Sequence, residues 1–243
     1  MVVAGIEVRV QKKDIKNLHL YVKPPVGAVT VSAPLSMSED AIERFVRTKV
    51  SWMRTQQAKF AGQLRQTQRQ YVSGETLYLW GKQYFLSVDY GNRNALALDG
   101  NSAKLTVRKV STALQRDSFV REWYREQLKA EITRLLPKWE TTTGLHCDSW
   151  QTKYMTSKWG TCNIATRKIW FNLQLAKKPI ECLEYIIVHE LLHLRVKNHN
   201  AEFTALMDKF MPYWREVKNK LNAQILDNWE RDRDTEGGGI ENV

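Results

Sequence analysis

Residues Val188 to Phe203 read VHELLHLRVKNHNAEF, which gathers three of the chain's five histidines into one short run. His189 and His193 stand at the H-E-x-x-H spacing with Glu190 between them, and His199 follows. On a helix, residues at i and i+4 share one face about one turn apart, so two imidazoles at this spacing can address one metal ion. Leu183, Ile186, Ile187, Leu191 and Leu194 supply an apolar stripe at helical period through the same stretch. Pro179 suits a first helical turn, and Glu181 and Glu184 sit where the helix dipole favours acid. The pattern predicts a helix that ends around RVKN, and a turn there that lets His199 swing back towards the other two. A second helix is expected from about Ala201 until Met211-Pro212, with Phe203, Leu206, Met207 and Phe210 as its apolar side.

The donor types name the chemistry. Neutral imidazoles bind Zn²⁺ and leave a fourth position for water, whose pKa the metal lowers. Glu190 follows His189 directly, so its carboxylate can reach that water rather than the metal and act as general base. Imidazole ligands make zinc the expected metal, held by His189, His193 and His199. Glu202 is the rival third ligand, on the following helix. The plain alternative, a helix with two surface histidines and an ordinary glutamate, fits the apolar flanks poorly. A structural zinc site commonly uses cysteine, and none of Cys147, Cys162 and Cys182 lies in the run or forms a C-x-x-C pair.

Outside this run the composition is ordinary for a globular protein, with 43% hydrophobic and 26% charged residues over 243 positions. No apolar stretch approaches the ~18 residues of a membrane span. The opening MVVAGIEVRV is interrupted by Glu7 and Arg9 and makes a poor signal peptide, and the odd number of cysteines points to a reducing cytoplasm. The net charge is +11, with +7 in residues 1–72, +8 in 73–221 and −4 in 222–243. A basic body of this kind can attract nucleic acid or acidic proteins, or serve solubility alone.

Upstream, LHLYVKPPVGAVTVSAP alternates at period two around Pro24-Pro25 and Gly27, which predicts strands joined by a turn. Ser36-Met37-Ser38-Glu39 has capping-box spacing. Ile42, Phe45, Val46, Val50 and Met53 behind it predict one long amphipathic helix to about residue 60. Residues 72–110 read as short strands broken by Gly81, YGNRN and Asp99-Gly100, all hairpin-type signals. A helix carrying Val120, Trp123, Tyr124, Leu128, Ile132 and Leu135 on one face is expected to end near Pro137. Strands are expected near Trp150–Met155 and Lys168–Leu173, and no internal repeat is visible.

With these pieces in place the chain resembles the YgjP-like family of metal-dependent hydrolases over nearly its whole length. The specific segments are SKWGTCN, IWFNLQLAKKPIECLEYIIVHELLHL and NHNAEFTALMDKFMPYW. The resemblance implies zinc ligation by His189, His193 and His199, with Glu190 as base. It also implies a peptidase-like C-terminal domain akin to the SprT-like and WLM proteases, which act on proteins crosslinked to DNA. Lys158 stands where the family pattern has arginine, Thr161 and Asn163 replace serines, and Phe171 precedes Asn172; none of these touches the expected ligands. SKWGTC could present a backbone edge to an extended substrate, with Lys158 or Trp159 lining a cleft, or Trp159 and Cys162 could simply pack the core. Cys162 could approach the metal as an inhibitory thiolate, and Tyr213 could donate to an oxyanion.

The expected fold is α+β: a β-rich N-terminal region with one long helix over 1–112, a compact zincin-like metallopeptidase domain over 113–225, and an acidic flexible tail over 226–243. The expected activity is peptide-bond hydrolysis on a protein or peptide substrate, with nucleic acid as a candidate partner and no membrane. A non-peptide hydrolase and a basic nucleic-acid-binding protein with structural zinc are the alternatives.

Overall fold

Period-two alternation builds the first sheet of the computed structural model, which describes residues 1–23, 27–61, 69–155 and 158–222. Strands β1 (Val2–Val3), β2 (Ile6–Lys13), β3 (His19–Lys23) and β4 (Ala28–Pro34) pair in the order β1-β2-β4-β3. β2 and β4 run parallel, and β3 returns antiparallel at the edge of β4. Their inward residues Val8, Val29 and Val31 pack with Ile42, Val46 and Met53 from two helices, α1 (Glu39–Thr48) and α2 (Val50–Ala61). The N-cap of α1 is Ser38, whose hydroxyl accepts from Ala41 N at 3.3 Å. The single long helix expected here is broken at Lys49, which leaves the helical region (φ −106°, ψ 6°) and bonds back to the Val46 carbonyl. The Pro24-Pro25 turn, most of GQLRQTQRQ and the acidic tail lie outside the described residues.

The chain divides into two compact units, one within residues 1–67 and one within 68–227. The second begins with β5 (Thr76–Leu79), β6 (Lys82–Tyr90), β7 (Ala95–Asp99) and β8 (Ser102–Val107), ordered β5-β6-β8-β7. Here the sequence misleads at YGNRN: the strands it joins do not form a hairpin, because β8 pairs in parallel with β6 and lies between β6 and β7. The two four-stranded sheets share strand order and pairing sense, a likeness carried by topology and invisible in the residues.

Helix α3 (Ala113–Thr143) starts at a full capping box between Thr112 and Gln115. Its sequence predicts a stop near Pro137. It continues because Leu136 and Trp139 are buried on either side of the proline, and this burial outweighs one lost backbone bond. It ends instead at Gly144, whose left-handed φ of 70° suits a residue without Cβ. A three-stranded sheet follows, β9 (Ser149–Lys153), β10 (Gly160–Asn163) and β11 (Lys168–Asn172), in the order β10-β11-β9.

A 3-10 turn (Leu173–Lys177) leads into α4 (Ile180–His193), then α5 (Ala201–Phe210) and α6 (Trp214–Asn222). Leu183, Ile187 and Leu191 of α4 are fully buried. The Trp139 indole donates to Glu184 at 3.2 Å, fixing α4 against α3. The Tyr124 hydroxyl donates to the Tyr78 carbonyl at 2.6 Å and Trp80 N donates to the Ala176 carbonyl at 2.9 Å, tying β5 to α3 and to the turn before α4. The class is α+β, as the sequence implies.

Candidate metal centre

His189, Glu190 and His193 all lie on α4, and the helix closes immediately after His193. The chain then turns tightly, with Val196 N bonding to the Leu192 carbonyl at 2.9 Å. Asn200 caps α5 by accepting from Phe203 N at 3.0 Å, which fixes the loop carrying His199. His189 Nε2 lies 3.1 Å from His193 Nε2 and 3.0 Å from His199 Nε2, and the three donor atoms fall within 4.8 Å of one another.

The tautomer at His193 can be assigned from its partner. Its Nδ1 lies 3.1 Å from the Val196 carbonyl, which can only accept, so Nδ1 carries the proton and the Nε2 lone pair points to the cluster. Burial lowers the pKa of His189 far below its usual value, with His193 and His199 reinforcing the effect. Burial also lowers His193 and His199. Neutral rings that bring three Nε2 atoms together, with the His193 lone pair aimed at the other two, make a donor set that fits a metal ion. Phe203 packs its ring 4.8–5.0 Å from all three imidazoles and holds them in place.

Glu190 is 4% exposed, and burial raises its carboxyl to about 8, opposed by the charge of Lys158. Its cover includes the backbone of β10: a Cβ built on Gly160 would lie 2.5 Å from Glu190 Oε1 and 2.8 Å from Cγ. Glycine in a strand marks such a close approach. Glu202, the rival ligand, instead pairs with Arg195 at 3.5 Å and is 54% exposed.

β10 is an edge strand among the described residues. The Trp159 carbonyl accepts from Asn172 N at 2.9 Å, so by antiparallel alternation Thr161 and Asn163 bond inward to β11. Gly160 and Cys162 therefore turn their N–H and C=O groups to the open side. Buried Asn172 secures the approach to this strand, its amide donating to the carbonyls of Met155 (2.8 Å) and Lys158 (2.6 Å).

The residues the sequence reading gave no role are Gly160 and Tyr185. Tyr185 sits edge-on to His189 at 5.7 Å and stacks on Trp214 at 6.4 Å; burial, then Glu190, pushes its phenol up to about 12. Its position one helical turn before His189 was the available signal. Burial, then Glu190, likewise raises the Cys162 thiol to about 12, which keeps it protonated. Tyr213 is 48% exposed.

A family model for the YgjP-like metallopeptidase domain matches residues 16–224. The chain belongs to the YgjP-like family. As a member it is a metallopeptidase. Two crystal structures of metallopeptidase zymogens are similar to part of this YgjP-like chain. Abylysin of Pyrococcus abyssi is 18% identical, with 38% of this chain and 92% of that one covered at a TM-score of 0.36. Jannalysin of Methanocaldococcus jannaschii is 21% identical, with 38% and 94% covered at 0.35. None of the curated proteins matches the chain. No described helix is long and apolar enough to cross a membrane.

Proposed function

We propose that this metallopeptidase holds zinc with His189, His193 and His199 and uses Glu190 to move the proton. The observation that carries the reading is the convergence of three imidazole Nε2 atoms beside a buried carboxyl on the same helix. When bound, zinc supplies a Lewis acid that acidifies water and polarises a carbonyl. Glu190 takes a proton at its carboxylate and returns it to the departing amine nitrogen, a double duty suited to a carboxyl whose proton affinity burial raises. Gly160 and the rest of β10 keep bulk water from that carboxyl. The outward backbone groups of Gly160 and Cys162 align an extended peptide by strand addition, the mode expected of SKWGTC. The basic charge makes DNA-associated proteins a substrate class to include.

The test compares wild type with Glu190→Gln, both loaded with zinc, on unfolded and DNA-binding proteins with and without DNA. New termini are read by mass spectrometry. Cleavage by wild type alone is expected. Equal cleavage by both removes Glu190 from the chemistry, and bound zinc without cleavage in either points to a non-peptide hydrolase or a structural site.

A further inference from the structure

Three lysines surround the histidines and none has a carboxylate within ion-pair distance among the described residues. Lys158 lies two positions before Gly160 at the entry to β10, its charge acts on Glu190, and Asn172 holds its carbonyl at 2.6 Å. Lys197, in the turn after His193, lines an open groove of about 700 Å³ together with Cys162, Ile164 and Trp170. Lys218 of α6 places Nζ 5.8 Å from the Trp214 ring, which stacks on Tyr185, itself edge-on to His189.

Neighbouring cations are arranged differently. Arg195 pairs with Glu202 at 3.5 Å, Lys220 with Glu181 at 2.5 Å, and Arg215 with Asp208. The carboxylates of Glu202, Glu181 and Asp208 are thus paired with other cations, and Glu190 is enclosed. The field over the open cleft is positive: Lys158 acts on Glu190 and His193, and Lys218 on His189 and His199.

We propose that the cleft selects polypeptide segments bearing Asp or Glu beside the scissile bond, and that Lys158, Lys197 and Lys218 determine this preference. The proposal rests on the peptidase reading above and adds the substrate class. An acidic peptide fits better than a nucleic acid because the groove holding Lys197, Trp170 and Ile164 lies along a strand edge that is free among the described residues. Backbone amides pair with such an edge, and a sugar–phosphate chain has none to offer. Lys197 is exposed and Lys158 and Lys218 are half-buried, and charges in such settings steer and discriminate, each contributing roughly a two- to fivefold effect.

The test measures binding separately from catalysis. Fluorescence anisotropy follows a labelled Glu-containing peptide and its Gln counterpart on Glu190→Gln protein, metal-free and after zinc addition. The Glu peptide is expected to bind on the order of tenfold tighter at low salt, and Lys158→Gln, Lys197→Gln and Lys218→Gln together to bring it down to the Gln peptide. Lys158→Arg should preserve the preference, and thermal melts should show every variant folded. Equal affinity for both peptides overturns the proposal. So does a preference that survives the triple substitution, or single-stranded DNA that competes with the same lysine dependence. Selective peptide binding alongside a wild type that cleaves nothing would sink the peptidase reading and leave the acidic preference standing.

Discussion

Gly160 and Glu190 are in contact although thirty positions separate them, and the contact leaves no room for a side chain on the strand. Gly160→Ala is therefore expected to push the Glu190 carboxyl aside. Displacements of this order cost about 10²-fold in turnover, and overpacking costs about 1–3 kcal/mol of stability. Steady-state kinetics and urea unfolding check both. Undiminished turnover would show that the carboxyl works from another position.

The charge state of Glu190 can be read from stability. Its pKa of about 8 lies above its ordinary 4.5, so between those values the folded chain keeps a proton that the unfolded chain releases. Stability then falls as pH rises through that window, with a slope approaching about 1.4 kcal/mol per pH unit, and levels off above it. The half-buried His189 and His193 act in the opposite sense: their depressed pKa values remove stability as pH falls below 6.5. In metal-free protein, the stability of Glu190→Gln relative to wild type should grow from about pH 5 to about pH 8 and then stay constant. Urea titrations across pH measure it, and a constant difference would show a solvated carboxyl.

His199 and Glu202 make opposite predictions for metal removal. His199→Ala should lower zinc affinity about 10²-fold or more, whereas Glu202→Gln should leave it within about twofold. Competition with a chromophoric chelator gives both numbers. A loss confined to Glu202→Gln would make that carboxylate the third ligand and require the Arg195 pair to open.

Legibility in the sequence followed range. The helix through His189 and His193 was readable because its signals recur within a few residues, and the return of His199 needed only one short turn. Gly160 was not, since its neighbour Glu190 comes from a distant part of the chain and only packing brings the two together. The same reason hid the β6–β8 pairing: YGNRN has turn chemistry, but partner choice depends on where β8 inserts. Pro137 and Lys49 show the reverse errors. A local breaker was overridden by buried neighbours in α3, and an unbroken apolar period in 39–61 concealed a break.

Helix α3 has 31 residues and is about 46 Å long. Near its start, buried Asp117 accepts from the Tyr71 hydroxyl at 2.8 Å, Tyr124 bonds to β5, and Trp139 near the far end secures α4. One rod thus joins the second four-stranded sheet to the histidine helix, and the two should melt as a single cooperative block. A truncation beginning at residue 113 would remove Tyr71 from Asp117 and the Tyr78 carbonyl from Tyr124, so the smallest autonomous fragment carrying the histidines is expected to begin before Tyr71.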